Sequence, residues 1–195
     1  MKLLCIGDSL TTGFGVFKED SWLSIVENSL KINIINKGVN GDTTSGMLSR
    51  SYEDVICEKP SHSFIMGGCN DIMSNRPLEM LEDNLSILVK EALKYNITPI
   101  IGIETPIIEK LALIYWNSDS NYMLINDKQK ECRKWILNFC DKLNVNYVDF
   151  FKLFSDELKN TSPEKLFIDG VHPSLTGHKL MADLVINNSK KLFNF

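Results

Sequence analysis

Hydrophobic positions along this chain change period repeatedly, and each change marks an element. Lys2–Gly7 (KLLCIG) is an unbroken apolar run closed by glycine, the pattern of a strand covered on both faces. Helical spacing takes over in Trp22–Leu30 (WLSIVENSL), where Trp22, Ile25, Val26 and Leu30 share a face. Ile32–Asn36 (INIIN) predicts a second strand, and a glycine-rich turn at Gly38–Gly41 leads into a helix over Thr43–Cys57. Ser63–Met66 (SFIM) predicts a short third strand that runs out at Gly67-Gly68. Pro77–Leu93 has the most regular amphipathic spacing, with Leu78, Leu81, Leu85, Leu88, Val89 and Leu93 on its apolar stripe. Ile97–Ile103 (ITPIIGI) predicts a fourth strand. Pro99 belongs near its start or at an irregularity, because proline cannot donate to the ladder. Tyr122–Leu143 reads as a helix and Asn146–Phe150 as a strand. After a looser stretch, Pro173–Lys190 predicts the last helix, with Pro173 in its first turn, where no N–H is needed.

Strand and helix alternating throughout predicts an α/β fold, a three-layer α/β/α sandwich around a mostly parallel sheet, as a single domain over residues 1–195. Right-handed crossovers put the strand C-termini along one edge, where an open sheet of this kind builds its site. The segment 104–121 (ETPIIEKLALIYWNSDSN) admits two readings. It is a connection with a short helix, or a substrate-facing loop or partial lid that carries Tyr115 and Trp116.

Composition removes several function classes. The formal net charge is -4 and the basic residues are dispersed, so no basic stripe invites a nucleic acid. No apolar stretch approaches the roughly 18 residues of a membrane span, and no integral membrane association is expected. The apolar run at the N-terminus meets Asp8-Ser9 almost at once. Reading it as a cleaved leader would remove Ser9, so a cytoplasmic location is expected. Five cysteines, odd in number, widely spaced and without a CxxC pair, suggest neither a disulfide framework nor a zinc site. Among the histidines His62, His172 and His178 there is no HExxH spacing, and no metal or other cofactor is expected. The pattern sets no oligomeric state.

Four short segments, each following a strand or loop at the expected edge, hold candidate chemistry. Ser9 in Gly7-Asp8-Ser9-Leu10-Thr11 leaves a buried strand through glycine, which can hold its hydroxyl exposed on a tight turn. Alone this would be turn chemistry. Gly41, in Gly38-Val39-Asn40-Gly41-Asp42-Thr43-Thr44, lets backbone approach a ligand and aim an N–H at it. Asp42 or Thr43 could cap the next helix. Asn70, in Gly67-Gly68-Cys69-Asn70-Asp71, could be a fixed amide donor or simply cap its turn. Cys69 is a second candidate nucleophile, with no base near it in sequence. In Asp169-Gly170-Val171-His172-Pro173 the carboxylate lies three residues before the imidazole. That spacing lets Asp169 accept the Nδ1 proton and leaves Nε2 to face a serine. His62 and His178 read as packing or surface residues. Asp8 and Asp71 are expected to brace their turns through local hydrogen bonds, and Asn40 to contact substrate or close its turn.

In this order the four segments resemble the SGNH hydrolases, the GDSL-type lipase and esterase family. Gly7-Asp8-Ser9-Leu10 matches the family's nucleophile block letter for letter. The resemblance implies a flavodoxin-like parallel sheet and a serine esterase or acylhydrolase with Ser9 as nucleophile and Asp169 and His172 completing the triad. Its oxyanion hole would comprise the N–H groups of Ser9 and Gly41 and the side-chain amide of Asn70. The partner is then a small-molecule ester: a short- to medium-chain acyl ester, a lysophospholipid or a thioester. The alternative enzyme reading is a carbohydrate O-acetylesterase using the same site. A flavodoxin-like small-molecule binding protein would explain the glycine-rich turns but leave Asp169 and His172 without a role.

Overall fold

The computed structural model describes residues 1–116 and 118–193. The first half runs β1 (Lys2–Gly7), α1 (Ser9–Thr12), α2 (Trp22–Leu30), β2 (Asn33–Gly38), α3 (Thr44–Ser51), β3 (His62–Met66) and α4 (Cys69–Met73). The second half runs α5 (Leu78–Lys94), β4 (Thr98–Ile103), α6 (Glu109–Tyr115), α7 (Tyr122–Leu143), β5 (Asn146–Asp149), α8 (Phe150–Glu157), α9 (Pro163–Leu166), α10 (Leu175–Asn187) and α11 (Ser189–Phe193). Among the described residues, five parallel strands form one sheet in the order β2-β1-β3-β4-β5. This is the flavodoxin-like order.

The two-residue period of the strands divides the core. Leu3 and Cys5 of β1 join Phe64, Met66, Ile100 and Val148 on the face covered by Trp22 and Val26 of α2 and Met181 and Val185 of α10. Leu4 and Ile6 point the other way, with Ile65 and Ile101, towards Met47 of α3, Leu85 and Val89 of α5 and Ile136 of α7. A strand whose neighbouring residues face opposite layers must be apolar throughout, which is why KLLCIG shows no alternation.

The structure corrects several expected boundaries. The second strand continues to Gly38 because its ladder follows β1 to the pair Gly7 and Gly38. As an edge strand it tolerates polar Asn36 and Lys37. The helix expected over Thr43–Cys57 is regular only through α3, with Thr43 as its cap, and widens into a π-helical turn at Tyr52–Ile56. Phe150 begins a helix rather than ending a strand, because the Asp149 side chain accepts the Lys152 N–H and caps α8. Pro173 lies outside the last helix. It bridges to Phe167, and Ser174 takes the capping position of α10 instead. Pro99 is the second residue of β4, near the start as expected.

Candidate active site

The order of the strands reverses at β1, which has β2 on one side and β3 on the other, so the loops leaving β1 and β3 open side by side. Gly7 ends β1 at a point with no room for a side chain. An added Cβ would lie 2.4 Å from the Met66 carbonyl oxygen of β3. The chain then turns at once into α1. There Asp8 Oδ1 accepts the Leu10 N–H at 2.9 Å and holds the turn that presents Ser9.

Across the edge, the loop before α10 is folded on itself by Asp169. Its Oδ1 accepts the N–H groups of Val171 at 2.9 Å and His172 at 2.8 Å, and its Oδ2 meets His172 Nδ1 at 2.6 Å. Gly170 sits at φ +93°, pressed so closely to α6 that a Cβ would lie 2.6 Å from the Ala112 nitrogen. The Ile108 N–H donates to the Gly170 carbonyl at 2.7 Å, which ties the loop to the segment after β4.

These two loops bring His172 Nε2 to 2.9 Å from Ser9 Oγ. Burial opposes ionisation of Asp169, but its hydrogen bonds from the His172 ring and from the His172 and Val171 N–H groups prevail and bring the carboxyl down to about 2. An ionised carboxylate only accepts, so the Nδ1 proton points at Asp169 and Nε2 is left to accept from the serine. Ser9 and His172 are both buried. Two aromatic rings flank the imidazole: Phe14 at 4.4 Å and Trp116 at 5.6 Å between centroids.

The other predicted residues converge on the same edge. Asn70 stitches three loops together, its Nδ2 donating to Asp8 Oδ2 at 3.0 Å and to the Asp42 carbonyl at 2.8 Å. Gly41 adopts φ +76°, and an added Cβ there would meet nothing within 4 Å. Asp71 braces the neighbouring loop by accepting from the Thr44 N–H at 2.8 Å and the Thr44 hydroxyl at 3.0 Å. The Asn40 side chain does not close its own turn; its Oδ1 reaches across to α1 and accepts from the Thr12 hydroxyl. Asp42 is clamped by Arg50, whose Nη2 also donates to the Gly7 carbonyl. The Cys69 thiol is pushed up by burial and by the carboxyls of Glu104, Asp8 and Asp71, which disfavours a reactive thiolate.

Two features were not legible before the fold was known. Phe14 is a loop residue without periodicity, and Glu104 is one acidic residue inside the unsettled segment 104–121. The available signal for Glu104 was a charge placed directly after the buried run of β4. Within that segment a short helix forms, as one reading held, and Trp116, just after it, lies against the His172 ring.

His62 and His178 stand apart from the catalytic edge in different ways. His62 opens β3 and packs edge-on against Phe193. His178 is fully buried and accepts the Trp22 N–H at Nδ1. Burial, assisted by nearby His172 and opposed by a hydrogen bond to the Phe14 backbone, lowers its imidazole from 6.5 to about 4. The unfolded chain therefore binds the proton first, and stability falls as pH drops from about 6.5 to about 4. Ring-proton NMR of the native protein should show His178 still neutral at pH 5. If its ring titrates near 6.5, that assignment fails.

Residues 5–180 match the model of the GDSL-like Lipase/Acylhydrolase family. The chain belongs to that family. It is a serine hydrolase acting on carboxylic esters, and the parallel sheet with flanking helices is the family's fold. An acetylxylan esterase of Geobacillus stearothermophilus is 26% identical over 200 residues, covering 93% of this chain and 90% of that protein. A crystal structure of Axe2, an acetylxylan esterase from that organism, superposes with a TM-score of 0.78 at 26% identity, covering 95% of this chain and 92% of its own. A member of the lipolytic protein G-D-S-L family from Veillonella parvula DSM 2008 superposes with a TM-score of 0.80 at 25% identity, covering 96% and 97%. Among the described residues of this family member, no helix is long and apolar enough to cross a membrane.

Proposed function

We propose that this GDSL-family esterase removes acetyl groups from carbohydrate esters, with Ser9 as nucleophile. The observation that carries the acyl preference is the space beside Ser9. The cavity bounded by Leu10, Cys69, Thr105, Ile107, Val171 and Trp116 has a volume of only about 10 Å³, room for roughly one small group. An acetyl methyl suits it, and a longer chain would have to displace side chains. Phe14 and Trp116, partly exposed on either side of His172, offer apolar faces to the alcohol half of the ester, and a sugar ring can stack there. The likeness to acetylxylan esterases supports the same reading.

In the reaction, Ser9 Oγ attacks the ester carbonyl while His172 Nε2 takes its proton. Asp169 fixes the tautomer and stabilises the imidazolium. The oxyanion is held by the Ser9 and Gly41 N–H groups and an N–H of Asn70, each such donor being worth about 3–4 kcal/mol in the transition state. His172 then gives its proton to the departing alkoxide. Water, deprotonated by the same nitrogen, releases the acid from Ser9.

A second reading rests on the apolar fringe outside the cavity. Ile114 and Tyr115, at the end of α6 next to Trp116, are strongly exposed and could support a longer acyl group lying across the surface. Hydrolysis of para-nitrophenyl acetate, butyrate and octanoate, beside acetylated xylo-oligosaccharides, separates the two. Acetate is expected to exceed octanoate in kcat/KM by at least about tenfold, the scale on which a filled pocket rejects extra methylenes, and the acetylated sugars are expected to turn over. Octanoate preferred, with the sugars inert, would favour the longer acyl group.

A further inference from the structure

The chain leaves β4 through Glu104, a carboxyl that the mechanism above does not use. It is buried to 8% exposure and lines the same cavity as Ser9 and His172. Its Oε2 accepts the Cys69 N–H at 2.6 Å. Its Oε1 is buried and has no hydrogen-bond partner, and the carboxyl of Asp8, which lines the same cavity, lies close enough to interact with it. Two bare carboxylates side by side in so buried a place would repel strongly, and a proton on one of them lets it donate to the other.

The surroundings decide which of the two keeps the proton. Burial pushes the Asp8 carboxyl up as well, but both of its oxygens accept an N–H, one from Leu10 and one from Asn70, and two donors stabilise the ionised form. Glu104 has one backbone donor. Burial, the Asp8 charge and Asp71 all push it well above the usual carboxylate range. The other titratable groups facing the pair are the Cys69 and Cys132 thiols beside Glu104, and Asp42 and His172 beside Asp8.

We propose that Glu104 is a positioning residue of the hydrolytic centre: its protonated carboxyl donates to Asp8, so that Asp8 can hold Asn70 in place and release it to the oxyanion. The proposal rests on the site assignment above, and it applies whether the acyl group is acetyl or longer. Both N–H groups of Asn70 are engaged, one by Asp8 and one by Asp42. To reach the oxyanion, one bond must open. Asp8 gives up its share cheaply because the Glu104 O–H and the Leu10 N–H still satisfy it. An ionised Glu104 would instead leave Asp8 poorly partnered and add a second negative charge beside the developing oxyanion. The effect falls on kcat more than on KM, since it concerns charge that forms only in the transition state.

Glu104→Gln and Glu104→Ala test this with para-nitrophenyl acetate as substrate. Glutamine mimics the neutral acid: its oxygen can accept from Cys69 and its NH2 can donate to Asp8. Kcat is expected to stay within about threefold of wild type in Glu104→Gln and to fall about a hundredfold in Glu104→Ala, with KM little changed in both. The infrared difference spectrum of wild type minus Glu104→Gln at pH 7 should contain the C=O stretch of a neutral carboxylic acid, shifted in D2O. That readout needs no turnover, so it fails or succeeds independently of the Ser9 assignment and of how well Glu104→Ala folds. Absence of the neutral-acid band, or a glutamine variant as impaired as the alanine one, would overturn the proposal.

Discussion

Ser9→Ala is expected to reduce kcat for para-nitrophenyl acetate by about 10⁴- to 10⁶-fold, leaving KM near the wild-type value. Alanine removes the attacking oxygen and one hydrogen bond, the 2.9 Å contact to His172 Nε2. It leaves untouched the Asp8 cap of the turn and the Asn70 bridge. Folding should barely change, because losing one hydroxyl hydrogen bond costs about 1 kcal/mol. His172→Ala should lose a similar amount. The double variant should be no worse than either alone, since nucleophile and base act as one unit. If the two losses instead multiplied, the residues would be acting independently and the proton transfer between them would be the wrong description. Initial rates on the three variants, with circular dichroism to verify folding, decide the matter.

Asp169→Asn should cost about 10³- to 10⁴-fold in kcat despite being nearly isosteric. The reason lies in which atoms Asp169 uses. Oδ1 already accepts two backbone N–H groups, from Val171 and His172. An asparagine that keeps those bonds must turn its NH2 towards His172 Nδ1. That nitrogen then becomes an acceptor, the proton moves to Nε2, and the imidazole faces Ser9 with a donor where a base is required. The opposite amide orientation would set the NH2 against two N–H donors. A loss smaller than tenfold would show that His172 does not depend on Asp169 for its tautomer. Stability gives a second reading of the same residue. With its folded value near 2 against an ordinary 3.8, Asp169 stabilises the native state above about pH 4, and that contribution fades as pH falls through about 2. The gap in urea midpoint between wild type and Asp169→Asn should therefore narrow across this acid window.

Much of the layer structure was legible from the residues because burial leaves a local trace. A strand covered on both faces has to be apolar at every position, and KLLCIG is. An amphipathic helix repeats near 3.6, and α2, α5 and α7 appear within a residue of the expected bounds. Boundaries moved where a tertiary partner outvoted the local pattern. Pro173 has the chemistry of a first helical turn but is held outside α10 by its bridge to Phe167. Phe150 is as apolar as a strand residue, and the Asp149 cap turns it into a helix. The short α1 and α4 carry too few residues for any period to show.

The candidate site was legible for a different reason: its chemistry rests on residue types held in short loops. Asp169 and His172 are close in sequence, so their mutual geometry is nearly a local property. Their distance from Ser9 is not. It spans 163 positions and depends on the reversal of strand order between β1 and β3. The sequence by itself determined the layers, the parallel sheet and which residues carry the candidate chemistry, because periodicity and tight-turn chemistry act over a few residues. Only the tertiary structure decided that Asn70 is bound to Asp8, that Phe14 and Trp116 lie against the imidazole, and that Glu104 lines one cavity with Asp8, Ser9 and His172. Those contacts join side chains from separate loops, and no local rule records which loops the close packing of the sheet will bring together.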